Sequence, residues 1–109
     1  MKVTAILGSP RNNGVSSTLA HAFIKTAKKA GAATTVYPLN DMTFQGCQGC
    51  NICKTKKEYC ILKDELTPVL VELMVSDIVV FATPVYYWDV SGQFKCFFDR
   101  NDIHDNITP

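Results

Sequence analysis

A chain of 109 residues, 47% hydrophobic, with eleven basic against ten acidic residues and a net charge of +1, can bury a core as one domain over residues 1–109. So balanced a charge leaves no field to gather nucleic acid or an anionic membrane surface. No apolar run approaches the roughly 20 residues of a bilayer crossing, and Met1-Lys2 leads into a strand-like run rather than a secretory leader, so a cytoplasmic setting is expected.

A first strand is expected over Lys2–Leu7, where Val3, Ala5, Ile6 and Leu7 run into Gly8. Turn-formers and hydroxyls follow, and a helix starts near Ser16 or Ser17, with Leu19, Phe23, Ala27 and Ala30 at helical spacing and Gly31 as its C′ residue. His21 falls on its solvated face. Residues 34–39 read as a second strand. Residues 41–63 are neither helical nor alternating. Leu66, Val69, Leu70, Leu73 and Met74 form a helical stripe, opened by Asp64 or by Thr67 with Pro68 at the first helical position. The unbroken apolar run at residues 78–82 predicts a central parallel strand. An aromatic loop leaves it, and Ser91 opens a third helix that turns Phe94, Phe97 and Phe98 inward. The polar residues 101–109 carry no strong element. Strands alternating with helices predict a parallel α/β sheet.

The junction after the first strand suits an anion. A strand, a loop and a helix N-terminus aim backbone N–H groups and the positive end of a helix dipole at one point. It lacks the Gly-Lys-Ser/Thr ending of a nucleoside-triphosphate loop, since Gly14-Val15-Ser16 stands there, and it lacks the three spaced glycines of a dinucleotide loop. What remains are the hydroxyls of Ser9, Ser16, Ser17 and Thr18, with Arg11, a set able to surround a phosphate monoester. Helix capping alone explains the same hydroxyls equally well.

Four of the five cysteines are packed together as Cys47-x2-Cys50-x2-Cys53-x6-Cys60. Such local spacing does not staple a fold. Four thiolates so placed can ligate a [4Fe–4S] cluster. They also suit tetrahedral zinc, although structural zinc sites more often come as two separated pairs. A third reading leaves them as small buried residues or a redox pair. Cys96 stands apart and reads as a packing residue. The basic run Lys54, Lys56, Lys57 reads as a solvated loop.

Gly8-Ser9-Pro10-Arg11, Gly14, Ser16 to Leu19, Pro84-Val85-Tyr86, Ser91, Lys95 and Asp99-Arg100 together resemble the NADPH-dependent FMN reductase family of flavodoxin-like proteins, and the cysteine pattern resembles its iron–sulfur flavoproteins. The resemblance implies a flavodoxin-like doubly wound sheet of order 2-1-3, lacking the usual strands 4 and 5. It implies that Ser9, Arg11, Ser16, Ser17 and Thr18 hold the FMN phosphate, and that Pro84, Val85, Tyr86, Tyr87 and Trp88 border the isoalloxazine ring. Ligands of such sheets do sit at the switch point between strands 1 and 3. Cys47, Cys50, Cys53 and Cys60 would hold a [4Fe–4S] cluster exchanging single electrons with the flavin.

The expected activity is FMN-dependent electron transfer between NAD(P)H or the cluster and a small-molecule or protein acceptor, with no side chain as general acid or base. The rival is a non-catalytic metal-binding or assembly module on the same fold. An apolar strand left at a sheet edge templates pairing with another chain, so a homo-oligomer is expected.

Overall fold

Residues 1–56 and 60–103 are described by the structure, a computed structural model, and they build a three-stranded parallel sheet of order β2-β1-β3. Lys57 of the basic run, His104 and the rest of residues 104–109 lie outside the described residues.

Strand β1 (Lys2–Leu7) is the middle of the sheet. Val3, Ala5, Ile6 and Leu7 are all buried, the Val, Ile and Leu side chains contributing about 1.5–3 kcal/mol each. Strand alternation divides them between two faces. Val3 and Ala5 pack with Ile24 of helix α1 (Val15–Lys29), whereas Ile6 packs with Leu66, Val69 and Leu70 of helix α3 (Leu66–Met74) and with Phe94 and Phe97 of helix α4 (Gly92–Asp99). The sheet therefore carries helices on both sides. Strand β2 (Ala33–Pro38) pairs with β1 in the register Lys2↔Ala33, and Gly31, at φ +96°, makes the turn into it. A fourth helix, α2 (Ile52–Lys56), is one short turn inside the segment that the sequence pattern left irregular. Cys53 lies on it.

Strand β3 (Ile78–Ala82) pairs with the other side of β1, Val3↔Ile78 through Leu7↔Ala82. Its start is pinned by two bonds, Asp77 N–H to the Lys2 carbonyl at 2.9 Å and Lys2 N–H to Asp77 Oδ2 at 2.7 Å. Among the described residues β3 is an edge, as the expected 2-1-3 order without strands 4 and 5 places it and not the central strand that its apolar run alone suggests, and Ile78, Val79 and Phe81 are exposed. An apolar run reports that both faces can be buried, and says nothing about which covers are at hand.

The apolar residues of α1 divide for the same reason. Its buried residues are Ser17, Ala20 and Ile24, while Leu19 and Phe23 are exposed and line, with Val79 and Phe81, an apolar groove along β3. Phe98 is likewise 48% exposed rather than inward, leaving Phe94 and Phe97 as the buried pair of α4. The start of α3 follows Asp64 and corrects the alternative of Thr67 as cap with Pro68 at the first helical position, since the helix begins at Leu66 and contains both Thr67 and Pro68. Leu66 N–H donates to Asp64 Oδ1, and Asp64 N–H donates to Thr67 Oγ1, each at 3.1 Å, which places Pro68 inside the first turn.

Candidate functional site

The loops that leave β1 and β3 at their carboxyl ends meet around Gly8. Ser91 Oγ donates to the Gly8 carbonyl at 2.7 Å and accepts from Phe94 N–H at 3.2 Å, capping α4 as its sequence position predicts. Ser91 N–H donates to Thr83 Oγ1 at 3.0 Å, and Gly8 N–H donates to the Ala82 carbonyl at 2.7 Å. One buried serine thus ties both loops to one helix start. Gly8 is required by this closeness, since a Cβ there would lie 2.9 Å from Phe94 Cβ and 3.0 Å from Ser91 Oγ. Gly8→Ala is expected to cost about 1–3 kcal/mol through overpacking, read as a lower denaturant midpoint. An unchanged midpoint would show that the junction gives way freely.

Within the first loop the hydroxyls divide into two groups. Ser9 is buried, and its Oγ accepts from Arg11 N–H at 3.0 Å; Ser17 is buried, and its Oγ donates to the Arg11 carbonyl at 3.1 Å. These two brace the loop. Ser17 could reach an anion only by giving up that bond, because a phosphate oxygen accepts and does not donate. Arg11 and Thr18 are exposed and Ser16 is half-buried. Helix α1 begins at Val15 after Gly14, which makes no side-chain cap. Its first N–H groups therefore have no intrahelical acceptor and no capping hydroxyl, which favours the anion reading over simple capping.

The second loop carries Pro84, Val85, Tyr86, Tyr87 and Trp88. Tyr86 and Asp89 exchange both backbone bonds, at 2.8 and 3.1 Å, around a two-residue turn in which Tyr87 and Trp88 hold φ of 49° and 68°. Left-handed backbone of this kind ordinarily belongs to Asn-Gly. Here it carries two large aromatics that are 96% and 93% exposed. Strained backbone holding two large rings in solvent makes the turn a candidate binding element.

The cysteine segment sits elsewhere, beside α4. Cys47, Cys50, Cys53 and Cys60 all line one cavity of about 270 Å³. Gly49, at φ +69°, turns the chain so that its N–H donates to Cys47 Sγ at 3.4 Å. Among the described residues no three Cys, His, Asp or Glu groups converge as they would on a single ion. Cys96 is exposed, not packed inside, and its Sγ would lie 3.4 Å from a Cβ at Gly46. His21 is exposed, as expected.

Sequence spacing missed the anchor of this segment. Arg100 is buried, and it donates to Asp64 Oδ2 at 2.6 Å, to the Gln45 carbonyl at 3.1 Å and to the Leu62 carbonyl at 3.3 Å. Partial burial pushes the Asp64 carboxyl up, but the Arg100 hydrogen bond and charge, with the N–H groups of Gln45 and Leu66, outweigh it and hold it below its ordinary value. A lowered folded value means stability that is complete above the unfolded aspartate value of about 3.9 and is lost as pH falls through the folded one. Denaturation at pH 7 and below 3.9 is expected to show this loss, and Asp64→Asn to flatten it. An equal acid slope in both proteins would contradict the pairing.

The comparisons with known proteins fit this geometry. A sequence model of the NADPH-dependent FMN reductase family matches residues 1–107. An iron-sulfur flavoprotein of Methanocaldococcus jannaschii is 37% identical over 100 residues, covering 92% of this chain and 50% of the relative. An iron-sulfur flavoprotein of Archaeoglobus fulgidus is 35% identical over 100 residues, covering 92% and 45%. A solved NAD(P)H:quinone oxidoreductase from Methanothermobacter marburgensis superposes with a TM-score of 0.74 at 22% identity, over 93% of this chain and 52% of that one, a likeness of fold.

The fold is flavodoxin-like, with the 2-1-3 strand order expected of it. The chain belongs to the NADPH-dependent FMN reductase family. It spans about half the length of the curated relatives it matches. No helix among the described residues is long and apolar enough to cross a membrane.

Proposed function

We propose that this chain binds FMN at the junction of the Gly8 and Thr83 loops and serves an oxidoreductase that passes electrons between NAD(P)H, or a [4Fe–4S] centre, and a small-molecule or protein acceptor. The observation that carries the reading is the Ser91 clamp. Its bonds to Gly8 and Thr83 set the anion-directed start of α1 and the aromatic turn at one end of the sheet, beside the switch point between β1 and β3.

When bound, FMN supplies two-electron and one-electron chemistry at its ring. The chain's part is to bind and orient. Ser16, Thr18, Arg11 and the first-turn N–H groups of α1 take the phosphate, while Ser9 and Ser17 keep their loop in shape. Pro84, Val85, Tyr86, Tyr87 and Trp88 offer an apolar border to the ring. Cys47, Cys50, Cys53 and Cys60 would hold the cluster, a reading supported by their shared cavity and by the relatives' names. The open edge of β3 and the groove beside it support a homo-oligomer.

The test is an anaerobic preparation of the chain, its visible spectrum, and its iron, sulfide and zinc content. A flavin spectrum bleached by NAD(P)H, with iron and sulfide in cluster proportion, is expected. A colourless protein with stoichiometric zinc would support the non-catalytic metal-binding module instead. Sedimentation of a well-folded monomer at micromolar concentration would overturn the oligomer.

A further inference from the structure

The aromatic loop is closed at two levels. At its tip Tyr86 and Asp89 exchange both backbone bonds, and at its base the Thr83 hydroxyl joins one arm to the other. That oxygen accepts from Ser91 N–H at 3.0 Å and donates to the Pro84 carbonyl at 3.0 Å, with Ser91 Oγ further off at 3.4 Å, so its lone pair serves one arm and its single proton the other. The Thr83 side chain also rests on the phosphate loop, its Cβ 3.2 Å from where a Cβ on Gly8 would stand.

Packing does not place the tip. Tyr87 and Trp88 are almost wholly exposed, Val85 is exposed, and among the described residues no ring pair includes Tyr86, Tyr87 or Trp88. The far arm is seated separately, by Val90 against the core and by Ser91 on the Gly8 carbonyl. The attitude of the tip is therefore set by hydrogen bonds at the base. Without the Thr83 hydroxyl, the N–H of the fully buried Ser91 would lose its acceptor, a costly state that the arms relieve by parting to admit water.

We propose that Thr83 is a positioning residue for the flavin ring: its hydroxyl latches the two arms of the aromatic loop, so that Tyr87 and Trp88 are held in the ring-binding attitude before the ligand arrives. A loop ordered in advance loses less freedom on binding. With the latch removed, only a fraction of chains hold that attitude, and apparent affinity falls by the same fraction. The proposal rests on the reading that this turn borders the ring.

The experiment compares the flavin-free chain with Thr83→Val, which keeps the branched shape and removes the hydroxyl, and with Thr83→Ser, which keeps the hydroxyl. Thr83→Ala, which also lacks the hydroxyl and is free of the added methyl, is measured beside them, and circular dichroism checks that each folds. Trp88 is the only tryptophan of the chain, so its time-resolved fluorescence anisotropy reads nanosecond motion of the tip alone. A larger amplitude of fast motion is expected in Thr83→Val and Thr83→Ala, and none added in Thr83→Ser. Riboflavin, which reads the ring without the phosphate, is expected to bind the two hydroxyl-free variants about tenfold more weakly and Thr83→Ser as it binds the unsubstituted chain. The ratio of FMN to riboflavin affinity is expected to be the same in all four proteins. Equal Trp88 anisotropy with and without the hydroxyl overturns the latch. Riboflavin affinity unchanged by loss of the hydroxyl, not recovered in Thr83→Ser, or altered less than that for FMN, overturns the role toward the ring. Failure of the underlying reading is distinct: an unsubstituted chain that binds neither flavin removes the ring role, while the Trp88 comparison still decides the latch.

Discussion

Ser16→Asp is expected to weaken FMN binding on the order of 100-fold while leaving helix α1 intact. Two unit charges 4 Å apart repel by about 4 kcal/mol at an effective dielectric of 20, and the half-exposed setting of Ser16 screens part of that. The same aspartate in a first helical turn complements the dipole, adding about 0.3–1 kcal/mol to stability. The two readings of this junction therefore part in ligand affinity. If the hydroxyls served only to start the helix, the variant would be as stable or more so and would bind FMN unchanged. If they face a phosphate, stability holds and affinity collapses. Riboflavin, which has the ring and no phosphate, is expected to bind both proteins alike. Calorimetric titration with each ligand, beside a thermal melt, reads all three quantities.

The second large effect lies at the aromatic turn. Replacing Tyr87 by Asn and Trp88 by Gly is expected to stabilise the chain by about 1–2 kcal/mol in total, because left-handed backbone costs L-residues about 1–2 kcal/mol each and glycine returns part of the gain as chain entropy. The same change removes two rings that are almost wholly exposed. It should lower affinity for FMN and riboflavin together by about tenfold or more, since an aromatic contact is worth about 0.5–1.5 kcal/mol beyond its buried area. A fold that gains stability while losing ligand is what a strained binding element predicts. A variant that loses stability and keeps affinity would make the turn a structural cover for the end of the sheet.

Much of the fold was legible because it is locally determined. Val3, Ala5, Ile6 and Leu7 state a buried strand by composition, Gly31 states the end of α1 by its freedom at positive φ, and Ser91 with Phe94 states a helix start by cap spacing. The errors fall where a side chain's fate depends on a distant cover. The spacing of Leu19 and Phe23 and the apolar run at residues 78–82 report apolar faces and not their partners. Phe98 failed for the same reason.

The site was legible in parts. The loop residues were found as a set, but their division into braces (Ser9, Ser17) and outward groups (Arg11, Ser16, Thr18) depends on which hydroxyl reaches the Arg11 backbone. Tyr87 and Trp88 gave no hint of left-handed backbone, since aromatics avoid it. The Arg100 clamp was hidden because its acceptors lie 36, 38 and 55 residues away, and no local spacing encodes such a distance. The cysteines were plain by spacing; their common cavity was not.

The measurement closest to the central claim is a paired titration of the unsubstituted chain, freed of bound flavin, with FMN and with riboflavin, followed by flavin fluorescence. Saturable binding of FMN, tighter than riboflavin by on the order of 100-fold as charge-assisted bonds to a phosphate at a helix start would give, is the predicted result. Equal affinity for the two, or no saturable binding of either, would contradict the assignment of the Gly8 junction as a phosphate grip.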